Sequence, residues 1–152
     1  MNKPAEKTDR ARRRTTNNSL SLSSLEHGKL PPQALDLEEA VLGSMLLEKD
    51  AVNTVIDILQ GKSFYKESHQ KIFEVIKDLF GRSEPIDILT ITNELKHKGE
   101  LDIVGGPYYI SQLTNRVASA ANVEFHARII AQKFIQRELI RISTEIITDA
   151  YD

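Results

Sequence analysis

From Asn122 to Ala150 the chain reads NVEFHARIIAQKFIQRELIRISTEIITDA, a run without a glycine or a proline. Such a run permits one helix of about 28 residues, roughly 42 Å long at 1.5 Å per residue and longer than a small domain is wide. In its C-terminal half Ile135, Leu139, Ile142 and Ile146 fall at steps of 4, 3 and 4. That is the spacing of an apolar seam of the coiled-coil type, broadened by Ile140 and Ile147. A seam of this kind needs a partner surface, and the chain stops at Asp152. Three covers are open: the helix folds back on the rest of the chain, another subunit covers it, or a further helix belongs to a longer protein.

Working outward from this helix, the segment between Pro31-Pro32 and residue 118 shows apolar residues at helical spacing, punctuated by short turns. Asp36 with Glu39 predicts an N-cap pair for a helix running to about Glu48, with Ala40, Val41, Met45 and Leu46 inward. Asp50 is placed to cap a short helix carrying Val52, Val55, Ile56 and Leu59, with Gly61 as its C-cap. A third helix is expected from Ser68 to Phe80, with Ile72, Phe73, Ile76, Leu79 and Phe80 inward and Gly81 closing it. Asp87 is placed to begin a fourth with Ile88, Ile91 and Leu95, ended by Gly99. Gly105-Gly106-Pro107 predicts a turn into a fifth over about 107–117, because proline suits the first turn of a helix. The fold class read from this pattern is all-α: a compact head of about five short helices over 31–118, then one long helix over 119–152.

Residues 1–30 carry seven Lys/Arg and three Asp/Glu, a balance of +4, whereas residues 31–152 carry thirteen and nineteen, a balance of −6. The tail, with Arg10 and Arg12 to Arg14 followed by a Ser/Thr/Asn-rich stretch, offers too little apolar surface to offset chain entropy and reads as disordered. Glu6 and Asp9 interrupt the acid-poor pattern of an organellar transit peptide. With 152 residues, 40% hydrophobic content and no cysteine, the chain reads as one soluble domain of a reducing compartment. Disulfide scaffolds and cysteine-ligated metal sites are excluded by arithmetic. No apolar run approaches the roughly 18–20 residues of a bilayer span, so the expected location is the cytoplasm, with no membrane contact.

Catalytic chemistry is not evident. Gly61-Lys62-Ser63 ends like a phosphate-binding P-loop, but the glycine required five residues earlier is Ile56, and a helix precedes it where the motif needs a strand. His27, His69, His97 and His126 stand singly, without the pairing that puts two ligands on one helix face, so no metal site is expected. His69 and His126 read as half-buried packing or hydrogen-bonding groups. Glu38-Glu39 reads as a cap or a solvated face near a helix end. Arg128, Lys133, Arg137 and Arg141 could form a DNA-reading face, although the side of the helix opposite the seam, balanced by Glu138 and Glu145, explains them more simply.

An ordered set of motifs narrows the reading. Pro31-Pro32-Gln33 precedes Leu37-Glu38-Glu39-Ala40-Val41-Leu42-Gly43; then come Ser63-Phe64-Tyr65, His69 and Ile72-Phe73, and Pro85-Ile86-Asp87 with Thr90. Gly99-Glu100-Leu101, Gly105-Gly106, Tyr109-Ile110, Leu113, Ser119-Ala120-Ala121-Asn122, Ala127 and Ile129-Ile130 follow. Together they resemble the N-terminal domain of DnaB-type replicative DNA helicases over about 120 residues. The resemblance implies a helical head followed by the first arm of a dimerisation hairpin, whose second arm is not in this sequence. It further implies a domain without catalysis of its own. By that resemblance six copies would form a collar of three dimers, which would contact primase and a helicase loader in the bacterial replication machinery at the nucleoid. Contact with DNA would be indirect, through the whole helicase. ATP and magnesium would belong to the parent's ATPase domain, and this chain would hold no cofactor. The rival expectation is a stand-alone nucleic-acid-binding protein using the basic tail and the Arg128–Arg141 face.

Overall fold

The computed structural model describes residues 29–117 and 120–152. The tail expected to be disordered therefore lies outside the described residues up to residue 28, and so do residues 118 and 119 at the expected boundary between head and long helix. All regular structure among the described residues is helical: α1 (Leu35–Leu47), α2 (Lys49–Ile58), a 3-10 turn (Gly61–Ser63), α3 (Glu67–Gly81), α4 (Ile88–His97), α5 (Gly106–Asn115), a second 3-10 turn (Ala120–Asn122) and α6 (Val123–Tyr151). Helix α1 is central and touches α2, α3, α5 and α6. Around it Val41, Leu42, Met45, Val55, Phe64, Phe73, Ile76 and Ile110 are withdrawn from solvent. Burial is worth about 1.5–3 kcal/mol for each large side chain before ordering costs.

Helix starts follow the expected chemistry at one site and depart from it at two. The Asp87 carboxylate accepts the Thr90 N–H at 2.9 Å, and the Thr90 hydroxyl accepts the Asp87 N–H at 3.0 Å, a reciprocal cap that opens α4. Asp87→Ala is expected to cost about 1 kcal/mol, read as a lowered thermal midpoint; an unchanged midpoint would contradict it. Asp36 does not cap α1. The helix begins two residues earlier than that cap would place it, so Ala34 is its N-cap, with no side-chain bond, and Asp36 lies within the first turn. Asp50 is displaced in the same way into the first turn of α2, behind Glu48. Both carboxylates still lie at the positive end of a helix dipole.

Helix ends correct two glycine assignments. Gly61 is not a C-cap: α2 stops at Ile58, and Gly61 opens the 3-10 turn. A Cβ there would overlap the Glu74 carboxylate. Nor does Gly81 close α3. The left-handed residue is Ser83, at φ 56°, whose N–H bonds the Phe80 carbonyl while the Glu84 N–H bonds that of Leu79. That is the Schellman pattern with serine where glycine is usual. Helix α4 ends in the same pattern on Gly99, at φ 68°. Among the inward residues predicted for α4, Ile91 and Leu95 are buried, whereas Ile88 is exposed.

Candidate functional site

Helix α6 is 29 residues long and has two opposed sides. At 3.6 residues per turn, Val123, Ala127, Ile130, Phe134 and Arg137 line one side. Val123, Ala127 and Ile130 are buried against the head. The seam residues Ile135, Leu139, Ile142 and Ile146 lie on the other side, roughly 130° away by the same geometry. Their exposures are 57%, 60%, 43% and 63%. The seam does not fold back on the head, and of the three covers considered that one is removed. Beyond Arg137 no apolar residue of α6 is buried.

The residue that ends the head contact is Arg137. Its guanidinium donates to the carbonyls of Pro32 and Ser63, both at 2.8 Å. It also lies 5.5 Å from the Tyr65 ring centroid and 5.8 Å from that of Phe134. One arginine thus ties three segments together: α6, the Pro31-Pro32 entry and the loop after α2. This corrects the expectation of a simple solvated basic side. Arg128 pairs with Glu124 at 2.8 Å, and Arg141 with Glu138 at 3.0 Å and Glu145 at 2.6 Å. The Arg141 hydrogen bond holds the Glu138 carboxyl below its ordinary range, and Lys62 and Arg137 add to the effect. The Lys62 ammonium lies 5.8 Å from the centroid of the Phe134 ring, so the P-loop-like tripeptide is folded against α6.

Inside the head lies a polar site that sequence reasoning missed. Glu38, read there as a cap or solvated residue, is 1% exposed. It accepts the Tyr65 N–H at 2.6 Å and sits 2.6 Å from His69 Nδ1. His69 is wholly buried rather than half-buried, and its Nε2 meets the Tyr109 hydroxyl at 2.6 Å. Lys66 donates to the same hydroxyl at 3.3 Å. Burial pushes the Tyr109 phenol above its usual range, partly opposed by the Lys66 ammonium. A signal was available. Glu38 shares its helix face with Val41, Leu42 and Met45, and His69 shares its face with Ile72, Phe73 and Ile76, so both occupy core positions. The site links α1, α3 and α5 through side chains. Among the described residues no group of three or more His, Cys, Asp or Glu could hold a metal ion.

With the geometry in place, comparison with known proteins is specific. Residues 30–132 match the family model described as DnaB-like helicase N terminal domain. The replicative DNA helicase DnaB of Rhodothermus marinus is 50% identical over 125 residues, 82% of this chain and 13% of that protein. That of Geobacillus stearothermophilus is 41% identical over 130 residues, 86% of this chain and 29% of that protein. The chain thus spans well under a third of the length of these curated relatives. A crystal structure of the N-terminal domain of DnaB helicase from Mycobacterium tuberculosis superposes with a TM-score of 0.78 at 40% identity, covering 81% of this chain and 89% of that one. An N-terminal domain of DnaB helicase from Helicobacter pylori, described together with its interactions with primase, has the same fold. It superposes with a TM-score of 0.64 at 19% identity, covering 77% of this chain and 91% of that one.

Proposed function

The chain belongs to the family of DnaB-like helicase N-terminal domains, and from that premise we propose that it is the assembly and partner-docking module of a replicative helicase. The observation that carries this reading is the exposed seam Ile135, Leu139, Ile142 and Ile146, on the side of α6 turned away from the head. Four large apolar side chains in water represent about 1.5–3 kcal/mol each before ordering costs. That is a driving force of the size association requires. The reading assigns the seam to self-association, as dimers that build a hexameric collar, and gives the collar to primase and a helicase loader as a docking platform. DNA unwinding, with its ATP and magnesium, belongs in this reading to a separate ATPase domain of the parent helicase, acting in the bacterial cytoplasm at the nucleoid. The stand-alone nucleic-acid-binding alternative has less support, because Arg128 and Arg141 are already satisfied by glutamates of their own helix.

Ile142→Asp tests it. A carboxylate placed in the middle of a seam must either be desolvated without a partner or keep the helices apart. Light scattering over a range of concentrations is expected to show the parent chain above its monomer mass of 17.2 kDa and the variant at that mass. Thr148→Asp, also exposed but on the head-ward side of the helix, is expected to leave the mass unchanged. A parent chain that stays monomeric throughout, or an Ile142→Asp variant that associates like the parent, would refute the assignment of the seam.

A further inference from the structure

The N-terminal entry to the head meets the long helix at one side chain. Arg137 donates to the carbonyls of Pro32 and Ser63, both at 2.8 Å, and the two acceptors are held in different ways. Ser63 and Phe64 are 4% and 0% exposed, and the Ser63 hydroxyl accepts the Gln60 N–H at 3.0 Å, so that carbonyl belongs to the core. Pro32 belongs to a strap. Leu30 is 82% exposed and Pro31 is exposed as well, so apolar burial does not fasten the strap to the head. Two successive prolines fix φ at both positions and keep the residue before each extended, which makes the strap a stiff unit that presents the Pro32 carbonyl. Arg137 can span the two acceptors because its planar guanidinium offers several N–H donors in a fixed fork. The Tyr65 and Phe134 rings, with centroids 5.5 and 5.8 Å from its central carbon, flank that fork.

Position along α6 gives this clamp its leverage. Val123, Ala127 and Ile130 bury the first turns of the helix against the head. From Arg137 to Tyr151 the helix runs on for about 21 Å, with no apolar residue buried. A tilt of about 10° at Arg137 would carry Tyr151 through about 4 Å. We propose that Arg137 is a positioning residue: by latching the Pro31-Pro32 strap to the Ser63 carbonyl, it fixes the direction in which the outer half of α6 leaves the head. The strap is the movable half of that latch and the Ser63 carbonyl the fixed half. Drawing the strap away, as a pull on the chain before Pro31 would do, opens the latch and frees the outer half to swing. The inference concerns a direction within one chain, so it stands or falls apart from self-association along the seam.

The chain contains no cysteine, so pairs of introduced cysteines can carry spin labels for distance measurement by pulsed electron paramagnetic resonance. Lys77→Cys on α3 with Ala150→Cys reports on the outer half of α6, and Lys77→Cys with Gln132→Cys on the inner half; all three positions are exposed. Every chain also carries Ile142→Asp and is measured in an excess of its unlabelled copy, so that the distances arise within one chain. Arg137→Gln is expected to widen the distribution between positions 77 and 150 by about 4 Å or more, the reach of a tilt of about 10°. The distribution between 77 and 132, and helicity by circular dichroism, are expected to stay as in the parent. Arg137→Lys keeps the charge but loses the fork and is expected to widen the outer distribution likewise. Pro31→Gly with Pro32→Gly loosens the strap while leaving Arg137 and Ser63 in place, and is expected to widen it by less. An unchanged outer distribution in Arg137→Gln, a parent-like one in Arg137→Lys or in the double glycine variant, or equal widening of both pairs would overturn the inference. Should Arg137→Gln fail to fold, Arg137→Lys and the double glycine variant decide in its place.

Discussion

Replacing Glu38 by alanine is expected to destabilise the head by about 3–5 kcal/mol, the usual cost of breaking a buried polar pair from one side. The carboxylate occupies a site closed to water, where it satisfies the Tyr65 N–H at 2.6 Å and His69 Nδ1 at 2.6 Å. Alanine leaves both groups without a partner, each at about 1–3 kcal/mol, and adds the cavity left by the missing side chain. Folded domains have only about 5–15 kcal/mol to lose. For a helical head of this size the thermal midpoint should fall by upwards of about 12 °C. Glu38→Gln separates hydrogen bonding from volume: the amide fills the space and its oxygen can still accept one bond, so the loss should be about half as large. His69→Gln should also cost less than Glu38→Ala, because the Tyr109 hydroxyl it releases is only partly buried. Thermal melts of the three variants decide the matter. A drop of less than about 1 kcal/mol for Glu38→Ala would mean that the site is hydrated in solution and contributes little.

That site shows where the sequence could be read and where it could not. Six helices, the turns at Gly99 and Gly105-Gly106 and the exposed seam were legible, because each depends on periodicity or on residues adjacent in the chain. Asp87 was legible for the same reason, since its cap partner is three residues away. Glu38 was not, because its partners are 27 and 31 residues distant and a carboxylate beside Glu39 near a helix start is ordinarily a solvated one. Arg137 was misjudged on the same ground: its acceptors lie 105 and 74 residues away, so a basic residue at a head-facing position looked like part of a charged surface. In both cases the register held the clue. Glu38, His69 and Arg137 each continue a row of apolar residues that the head buries. A charged residue in such a row either breaks the helix's packing or meets a partner from another segment. Cap positions failed for a smaller reason: a helix that starts two residues early turns a capping aspartate into a first-turn aspartate, and the pattern of apolar residues is too coarse to tell the two apart.

Gly43→Ala carries the second large expected effect, and its sign runs against helix propensity. In the middle of an isolated helix, alanine is about 1 kcal/mol better than glycine, so on local grounds the substitution should stabilise α1. Gly43, however, lies directly against the α5 backbone at Leu113. A Cβ there would overlap the Leu113 carbonyl oxygen and come within 2.7 Å of Val117 Cγ2. The obstacle is backbone, which cannot rotate away as a side-chain end can, so α5 must move as a body. Such overpacking costs about 1–3 kcal/mol and sometimes more, outweighing the gain in propensity. The expected result is a net loss of about 1–2 kcal/mol, seen as a thermal midpoint lower by about 4–16 °C. Gly81→Ala is the matched control. It lies in the last turn of α3, takes no left-handed angle, and an added Cβ has no heavy atom within 4 Å, so the same chemical change should stabilise by about 0.4–1 kcal/mol. Opposite signs from the two substitutions would show that close approach of α1 and α5, rather than chain flexibility, keeps glycine at position 43. Equal stabilisation at both positions would mean that α5 yields freely, so that the α1–α5 contact adds little to the rigidity of the head.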